Sequence, residues 1–351
     1  MARVDILLAT YNGEKYLKEQ IESILTQTYR DFRLLISDDC SSDRTWNILN
    51  YYAGIDNRVL IHRNEHNVGI VSNYEFLLRQ VKSEFFMYAD QDDVWKIDKV
   101  EKSINKITQE NAGIVHTDLE IVDENLQTIA PSFWDYKKIR NRLEFNSFDS
   151  LYLNNYVTGC TLIARSDYIF RILPLPKDNR NMIHDYWTAL IISNSSKIAF
   201  IDEPLVKYRQ HGDNSVGSER KSDTIDNFND LRDMFISIKI AHFKTLKENQ
   251  EKFTGDYFRD YTDKAIKYFN HLKNVKTISF KGWVLFAELY RYETIPYRLE
   301  NFFILNIPVI AKVAFNIRKK IIEYRTNKRN GSNANEQKKS VKNLFKSKKN
   351  N

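Results

Sequence analysis

Glu84-Phe85-Phe86-Met87-Tyr88-Ala89-Asp90-Gln91-Asp92-Asp93-Val94-Trp95 is the stretch around which the rest of the chain is organised. Its apolar run, Phe85 to Ala89, is spaced like a buried strand and stops abruptly at Asp90, Asp92 and Asp93. Carboxylates crowded at the mouth of a strand repel one another unless a cation sits between them. A hard divalent ion answers that need, because Mg²⁺ is held by one or two carboxylates together with substrate phosphate oxygens. A solvated acidic turn is the plain alternative, and a lone Asp-x-Asp would be read that way. Here a second acidic strand end, Asp38-Asp39, lies upstream, and the functional reading is preferred.

Working outward, residues 4–9 read as a buried strand that closes in the turn Thr10-Tyr11-Asn12-Gly13. Leu17, Ile21, Ile24 and Leu25 then recur at helical spacing. Residues 32–37 form a second strand ending at Asp38-Asp39, and Ser41-Ser42-Asp43 supplies capping residues for a helix reaching about residue 52. A short strand at 59–61, a turn at Asn67-Val68-Gly69 and a helix over 71–81 lead into the acidic strand. Strands alternating with helices of this length predict an α/β fold, a mostly parallel sheet with helices on both faces. In such sheets ligands bind beyond the carboxyl ends of the strands. Thr10-Tyr11-Asn12, Asp38-Asp39 and Asp90 to Asp93 all fall there, and their convergence is the central inference.

Beyond the acidic strand the pattern is mixed. Residues 114–118 read as a strand and 133–136 as an aromatic loop. Residues 156–164 suggest a strand interrupted by Gly159, His184-Asp185 opens a helix, and 197–201 is a closing strand. The polar segment 212–226 marks a boundary, giving a catalytic domain over 1–217, a helical region over 218–324 and a basic tail over 325–351. Phe228, Leu231, Phe235 and Ile238 have helical spacing, as do Tyr257, Tyr261, Ile266 and Phe269. A further stripe, Val309, Val313, Ile317 and Ile321, is flanked by Lys312, Arg318, Lys319 and Lys320.

At 351 residues, 42% hydrophobic and 13% aromatic, the chain is long and apolar enough for a full core. Its two cysteines, Cys40 and Cys160, lack metal-site spacing and fit a reducing compartment. The amino terminus has no apolar signal stretch, and no apolar run reaches the roughly 20 residues that span a bilayer. A cytoplasmic protein is expected, either free or peripheral on the inner face of the plasma membrane. The net charge is +7, but residues 325–351 carry nine Lys or Arg and one Glu, so the body is nearly neutral. That distribution argues against a nucleic-acid binder, which shows its basic stripe on ordered elements.

The order of these motifs resembles a family-2 glycosyltransferase of the GT-A fold. The resemblance rests on Ala9 to Gly13, Gln27-Thr28-Tyr29, Asp38 to Asp43, Asn67-Val68-Gly69, Asp90 to Asp93, Thr158-Gly159-Cys160 and His184-Asp185. It covers about residues 4–215. The fuller strings Asp90 to Trp95, His184-Asp185-Tyr186-Trp187 and Tyr208-Arg209-Gln210-His211 are most similar to bacterial rhamnosyltransferases of cell-wall or capsular polysaccharide synthesis.

The resemblance implies a role for each matching position. Thr10, Tyr11 and Asn12 would line the nucleotide pocket, Asp39 would bond the base and Asp90 the ribose. A carboxylate accepts the imide N–H of uracil or thymine alike and rejects cytosine. Asp92 would hold Mg²⁺ or Mn²⁺ at the donor diphosphate, with His211 as a further ligand or else a loop histidine bonded to backbone. Asp185 would be the general base of an inverting transfer, or a plain helix cap. Its place at a helix start argues against a strongly raised pKa. Trp187 is expected to stack on an acceptor sugar rather than fill the core. His184 and Gly159 would lie on the acceptor side, with Gly159 allowing close backbone approach or else marking a bulge.

The implied reaction moves L-rhamnose from dTDP-rhamnose to a lipid-linked glycan. A UDP-hexose or UDP-N-acetylhexosamine donor is the alternative, and a non-catalytic nucleotide- or carbohydrate-binding protein is the rival class. A nucleotidyltransferase would need a basic, Gly-rich phosphate loop after the first strand, which Thr10 to Glu14 is not. The basic helical faces near 309–324 suggest an anionic membrane surface, or else a subdomain or dimer contact.

Overall fold

The computed structural model describes residues 3–137, 148–179, 182–211 and 228–274 and the single positions 286 and 289. The amino-terminal half alternates β1 (Val4–Thr10), α1 (Leu17–Leu25), β2 (Phe32–Asp38), α2 (Thr45–Ile55), β3 (Val59–Arg63), α3 (Ile70–Arg79) and β4 (Phe85–Ala89). Next come β5 (Val94–Trp95), α4 (Lys99–Gln109), β6 (Ile114–Val122), β7 (Thr128–Ala130), α5 (Phe133–Tyr136), α6 (Phe148–Leu153), β8 (Ile163–Arg165) and α7 (Ile169–Ile172). The remainder is α8 (His184–Ser193), β9 (Ile198–Arg209), α9 (Phe228–Glu248) and α10 (Asp256–Asn274).

The nine strands make one sheet in the order β3-β2-β1-β4-β8-β6-β9-β5, with β7 on β6. β1 pairs in parallel with β2 and β4, and β2 with β3. β8 runs antiparallel between β4 and β6, while β6 and β9 are parallel. The α/β expectation is therefore borne out, and helices do cover both faces. Val4, Ile6 and Leu8 of β1 share a core with Ile21 of α1, Leu49 of α2 and Ile104 of α4. Leu7, Phe86 and Tyr88 face the other way, onto Tyr74 of α3 and Trp187 of α8. Apolar side chains on both faces explain why these strands read as continuous hydrophobic runs.

Register carries the polar ends together. Thr10 pairs with Asp38 and Leu8 with Ala89, so the Thr10 turn, Asp39 and Asp90 leave the sheet side by side. β9 is longer than the closing strand expected at 197–201. A register shift at Thr117/Asp118 keeps it on β6 as far as Arg209. The segment right after the acidic loop, Val94-Trp95, pairs with Lys207 and Val206. His211 is thereby delivered to Asp92.

Two other local readings change. Residues 133–136 are a helical turn and not a loop, because Ser132 caps it by accepting from the Asp135 N–H. Only Ile163–Arg165 of the 156–164 stretch is a strand, and Gly159–Thr161 is a 3-10 turn. The Gly159 N–H goes to the Asp185 carboxylate, 2.9 Å away, and so is lost to any ladder.

α9 and α10 pack on each other and share one core with α8 through Phe243, Phe253, Phe258, Tyr261 and Phe269. The buried face of α9 is Arg232, Ile236, Lys239, Phe243 and Leu246, offset from the expected Leu231, Phe235 and Ile238. Two cations occupy it because their heads find carbonyls. Arg232 donates to Leu272 O at 3.0 Å, and Lys239 donates to Leu153 O and to Asn154. The stripe at 309–321 and the tail 325–351 lie outside the described residues.

Candidate active site

At the end of β1 the Thr10 hydroxyl is buried and donates to Asp38 at 3.2 Å. Tyr11 is about half exposed, at 48%. Asn12 sits in the left-handed region with φ of 48°. Its side-chain oxygen accepts from the Ser42 N–H at 2.9 Å, and its own N–H donates to the Ser41 hydroxyl. Cys40, at the end of β2, is also left-handed, with φ of 60°. Non-glycine residues held there cost of order 1–3 kcal/mol and concentrate at binding sites. Asp39, buried between these turns, accepts from the N–H groups of Val68 and Gly69 at 2.8 and 2.9 Å and from Asn64 at 3.0 Å. The three bonds use three of about four acceptor positions, so one remains on Oδ2.

The acidic loop follows directly. Asp92 and His211 meet at 2.8 Å, with side chains 16% and 10% exposed, so this pair opens toward solvent. Asp90 receives a long contact from the Tyr74 hydroxyl at 3.4 Å. Its carboxyl is pushed up to about 7, first by burial, then by the negative charges of Asp92 and Asp185. Asp93 is fully buried and accepts from the Arg209 N–H at 3.2 Å. Asp90, Asp93 and Cys160 bring ligand-type atoms within 4.8 Å of one another. Burial raises the Cys160 thiol well above its usual range, which disfavours the thiolate that ligates metals. The Asp92 carboxylate and the His211 imidazole are more accessible, and both are ligand types that could hold a divalent ion. Lys99 lies behind this loop, 3.4 Å from the Trp95 ring centroid, and burial lowers its ammonium to about 7.

Asp185 stands at the start of α8, only 8% exposed. One oxygen accepts from the Tyr186 N–H at 2.6 Å and the other from Gly159. Burial raises its carboxyl to about 6 against the lowering effect of these N–H groups. That differs from the expectation drawn from the helix start: desolvation outweighs the N-terminal donors. Trp187 is corrected outright. Its ring is fully buried, its indole N–H donates to Ile172 O at 2.8 Å, and it meets Phe253 edge-on. It anchors α8 and offers no open face to a sugar. His184 is buried and stacks on Tyr74 at 3.7 Å.

Two residues that the sequence reading passed over hold this edge together. Gln91 accepts from the Tyr11 N–H at 2.9 Å and donates to Tyr11 O at 3.1 Å, tying the acidic loop to the first turn. A Cβ on Gly13 would lie 2.4 Å from the Gln91 side-chain oxygen, so glycine lets Gln91 lie directly against this turn. Arg209, 2% exposed, donates to Asp92 O at 2.8 Å, to Glu124 O at 2.6 Å and to Glu19, and lies over the Tyr16 ring. Only its spacing two residues before His211 hinted at this role.

The mostly parallel sheet thus carries an acidic loop beyond its strand ends. The sequence profile described as "Glycosyl transferase family 2" matches residues 5–170, and by that match this region belongs to the family. The chain is 28% identical over 210 residues to an uncharacterized glycosyltransferase of Rickettsia typhi, covering 59% of this chain and 64% of that protein. It is 28% identical over 224 residues to the dTDP-rhamnosyl transferase RfbG of Shigella flexneri, covering 60% and 74%. It is 26% identical over 212 residues to the UDP-Glc:alpha-D-GlcNAc-diphosphoundecaprenol beta-1,3-glucosyltransferase WfgD of Escherichia coli, covering 59% and 76%. The chain thus spans just under two thirds of the Rickettsia relative. Among solved structures, S. aureus TarS 1-349 in complex with UDP-GlcNAc superposes with a TM-score of 0.55 at 15% identity, over 85% of this chain and 83% of that one. That likeness is one of fold.

Proposed function

We propose that this protein is a metal-dependent, inverting glycosyltransferase that moves a sugar, L-rhamnose from dTDP-rhamnose, onto a lipid-linked glycan. The observation that carries the reading is the open Asp92–His211 pair beside a loop whose Asp90 feels the charge of buried Asp185. Thr10, Tyr11 and Asn12 line the nucleotide, Asp39 accepts the base imide N–H, and Asp90 faces the ribose. Asp92 and His211 hold Mg²⁺ or Mn²⁺, which when bound stabilises the negative charge gathering on the leaving nucleoside diphosphate. Asp185 takes the proton of the attacking hydroxyl, and a base near pKa 6 is well matched to that task at neutral pH. Support for rhamnose comes from the likeness to RfbG, and for a lipid-linked acceptor from the likeness to WfgD.

The basic carboxyl-terminal segment would place the enzyme on an anionic membrane, where such an acceptor is anchored. No helix among the described residues is long and apolar enough to cross a membrane. The test is a hydrolysis screen of purified protein with Mg²⁺ or Mn²⁺ and a panel of nucleotide sugars. Turnover of dTDP-rhamnose is expected. Preference for a UDP-hexose would remove the rhamnose assignment and keep the class. Inertness toward every donor, with no nucleoside diphosphate bound, would overturn the class itself.

A further inference from the structure

His184 is the unexplained residue of the site. It is 3% exposed, and neither ring nitrogen has a hydrogen-bond partner among the described residues. Its ring is fixed, stacked on Tyr74 at 3.7 Å and edge-on to Tyr88 at 4.7 Å. A buried polar group left unpaired calls for a reason, because native structures satisfy nearly all of them. Burial holds this imidazole neutral, with its pKa lowered to about 3, so it carries one N–H donor and one bare acceptor nitrogen.

The direction it faces is marked by Gly159. A Cβ at that position would lie 3.4 Å from His184 Nε2, 3.3 Å from Asp185 Oδ2 and 3.1 Å from Asp185 Cβ. Gly159 does not have a positive φ and sits in a 3-10 turn, so its backbone does not itself demand glycine. What glycine supplies is close approach: with no Cβ at 159, the Asp185 carboxylate and the unpaired imidazole nitrogen lie together against this turn. The ligand chemistry that suits both is a hydroxyl, which donates to the carboxylate and accepts from an imidazole N–H. A phosphate or carboxylate would be repelled by Asp185, and an alkyl group would leave His184 unpaired.

We infer that Gly159, His184 and Asp185 form a hydroxyl subsite, in which His184 Nε2–H holds the oxygen of the attacking alcohol while its proton points at Asp185. The inference rests on the reading of Asp185 as the base and adds to it the group that orients the nucleophile. A neutral donor suits that oxygen. A cationic one would draw on the oxygen lone pair more strongly and lower its nucleophilicity.

The experiment uses the full chain, with dTDP-rhamnose and UDP-N-acetylglucosamine as donors and water or octyl β-D-glucoside as the hydroxyl. His184→Phe keeps the ring stack and deletes both nitrogens. It is expected to lower turnover by roughly 10- to 100-fold, the loss that follows a missing buried hydrogen bond. Calorimetric affinity for dTDP or UDP should stay within about threefold, since the nucleotide contacts lie elsewhere. His184→Asn, which retains an N–H donor, should recover part of the loss, and Gly159→Ala should reproduce it. Turnover by His184→Phe or Gly159→Ala close to wild type would overturn the subsite. So would equal loss of nucleotide affinity, the mark of a scaffold residue. If His184→Phe does not fold, His184→Asn and Gly159→Ala decide the matter in the same way. A wild-type chain that binds neither nucleotide and turns over neither donor would instead remove the glycosyltransferase reading, and the subsite with it.

Discussion

At the residue scale the proposed base, Asp185, gives a signed prediction through its ionisation. Its carboxyl is raised to about 6, so turnover should climb as pH rises through about 6 and level off above. A carboxyl whose folded pKa exceeds its unfolded value favours folding in the protonated form. Stability from this group therefore declines from about pH 4 to about pH 6 and is flat beyond. Asp185→Asn should abolish transfer yet melt no lower than wild type at pH 8, checked by activity and by thermal unfolding. Asp39→Ala should weaken dTDP or UDP binding tenfold or more in calorimetry, because it removes the proposed acceptor for the base and frees the Val68 and Gly69 N–H groups. Among single residues, the gathering of Asp38, Asp39 and Asp90 at neighbouring strand ends was legible, because each follows an apolar run that reads as a strand. Trp187 was not, since an indole beside a base reads alike whether it faces a sugar or the core.

At the scale of elements, the strands and most helices were legible from apolar periodicity, and the convergence of strand ends followed from parallel topology. The long course of β9 was not, because it depends on a register shift against β6 and on pairing with Val94-Trp95. The face of α9 was displaced for a different reason: Arg232 and Lys239 look solvated in sequence and find carbonyls in the fold. Arg209 shows what the junction of β9 with the acidic loop demands. A lysine there keeps the charge but cannot reach Asp92 O, Glu124 O and Glu19 together. Arg209→Lys should lower stability by about 1–3 kcal/mol in denaturant titration. It should also weaken Mn²⁺ binding measured by electron paramagnetic resonance, as the Asp92–His211 pair loosens. Unaltered Mn²⁺ affinity in a folded Arg209→Lys protein would remove that role.

At the scale of the whole molecule, the two faces of the sheet rest on different neighbours. The face carrying β1 Val4, Ile6 and Leu8 is closed by α1, α2 and α4, all within the first 109 residues. The opposite face is closed partly by α9 and α10, which bring Phe243, Phe253 and Phe258 against α6 and α8. Tyr186 stacks on His242 at 5.6 Å, Trp187 meets Phe253 at 5.7 Å, and the Tyr152 and Thr262 hydroxyls bond. Asp185 is thus seated on a core that includes α9 and α10, whereas β1 and β2, which carry Thr10 and Asp38, are closed on one face by helices of the first 109 residues alone.

For anyone shortening this chain, that asymmetry sets the rule. Cleavage within 212–227 severs the floor beneath Asp185 while sparing the cradle for the nucleoside. A fragment ending at residue 215 should still register dTDP or UDP by calorimetry but transfer nothing, and supplying 228–351 in trans is the rescue that would restore it.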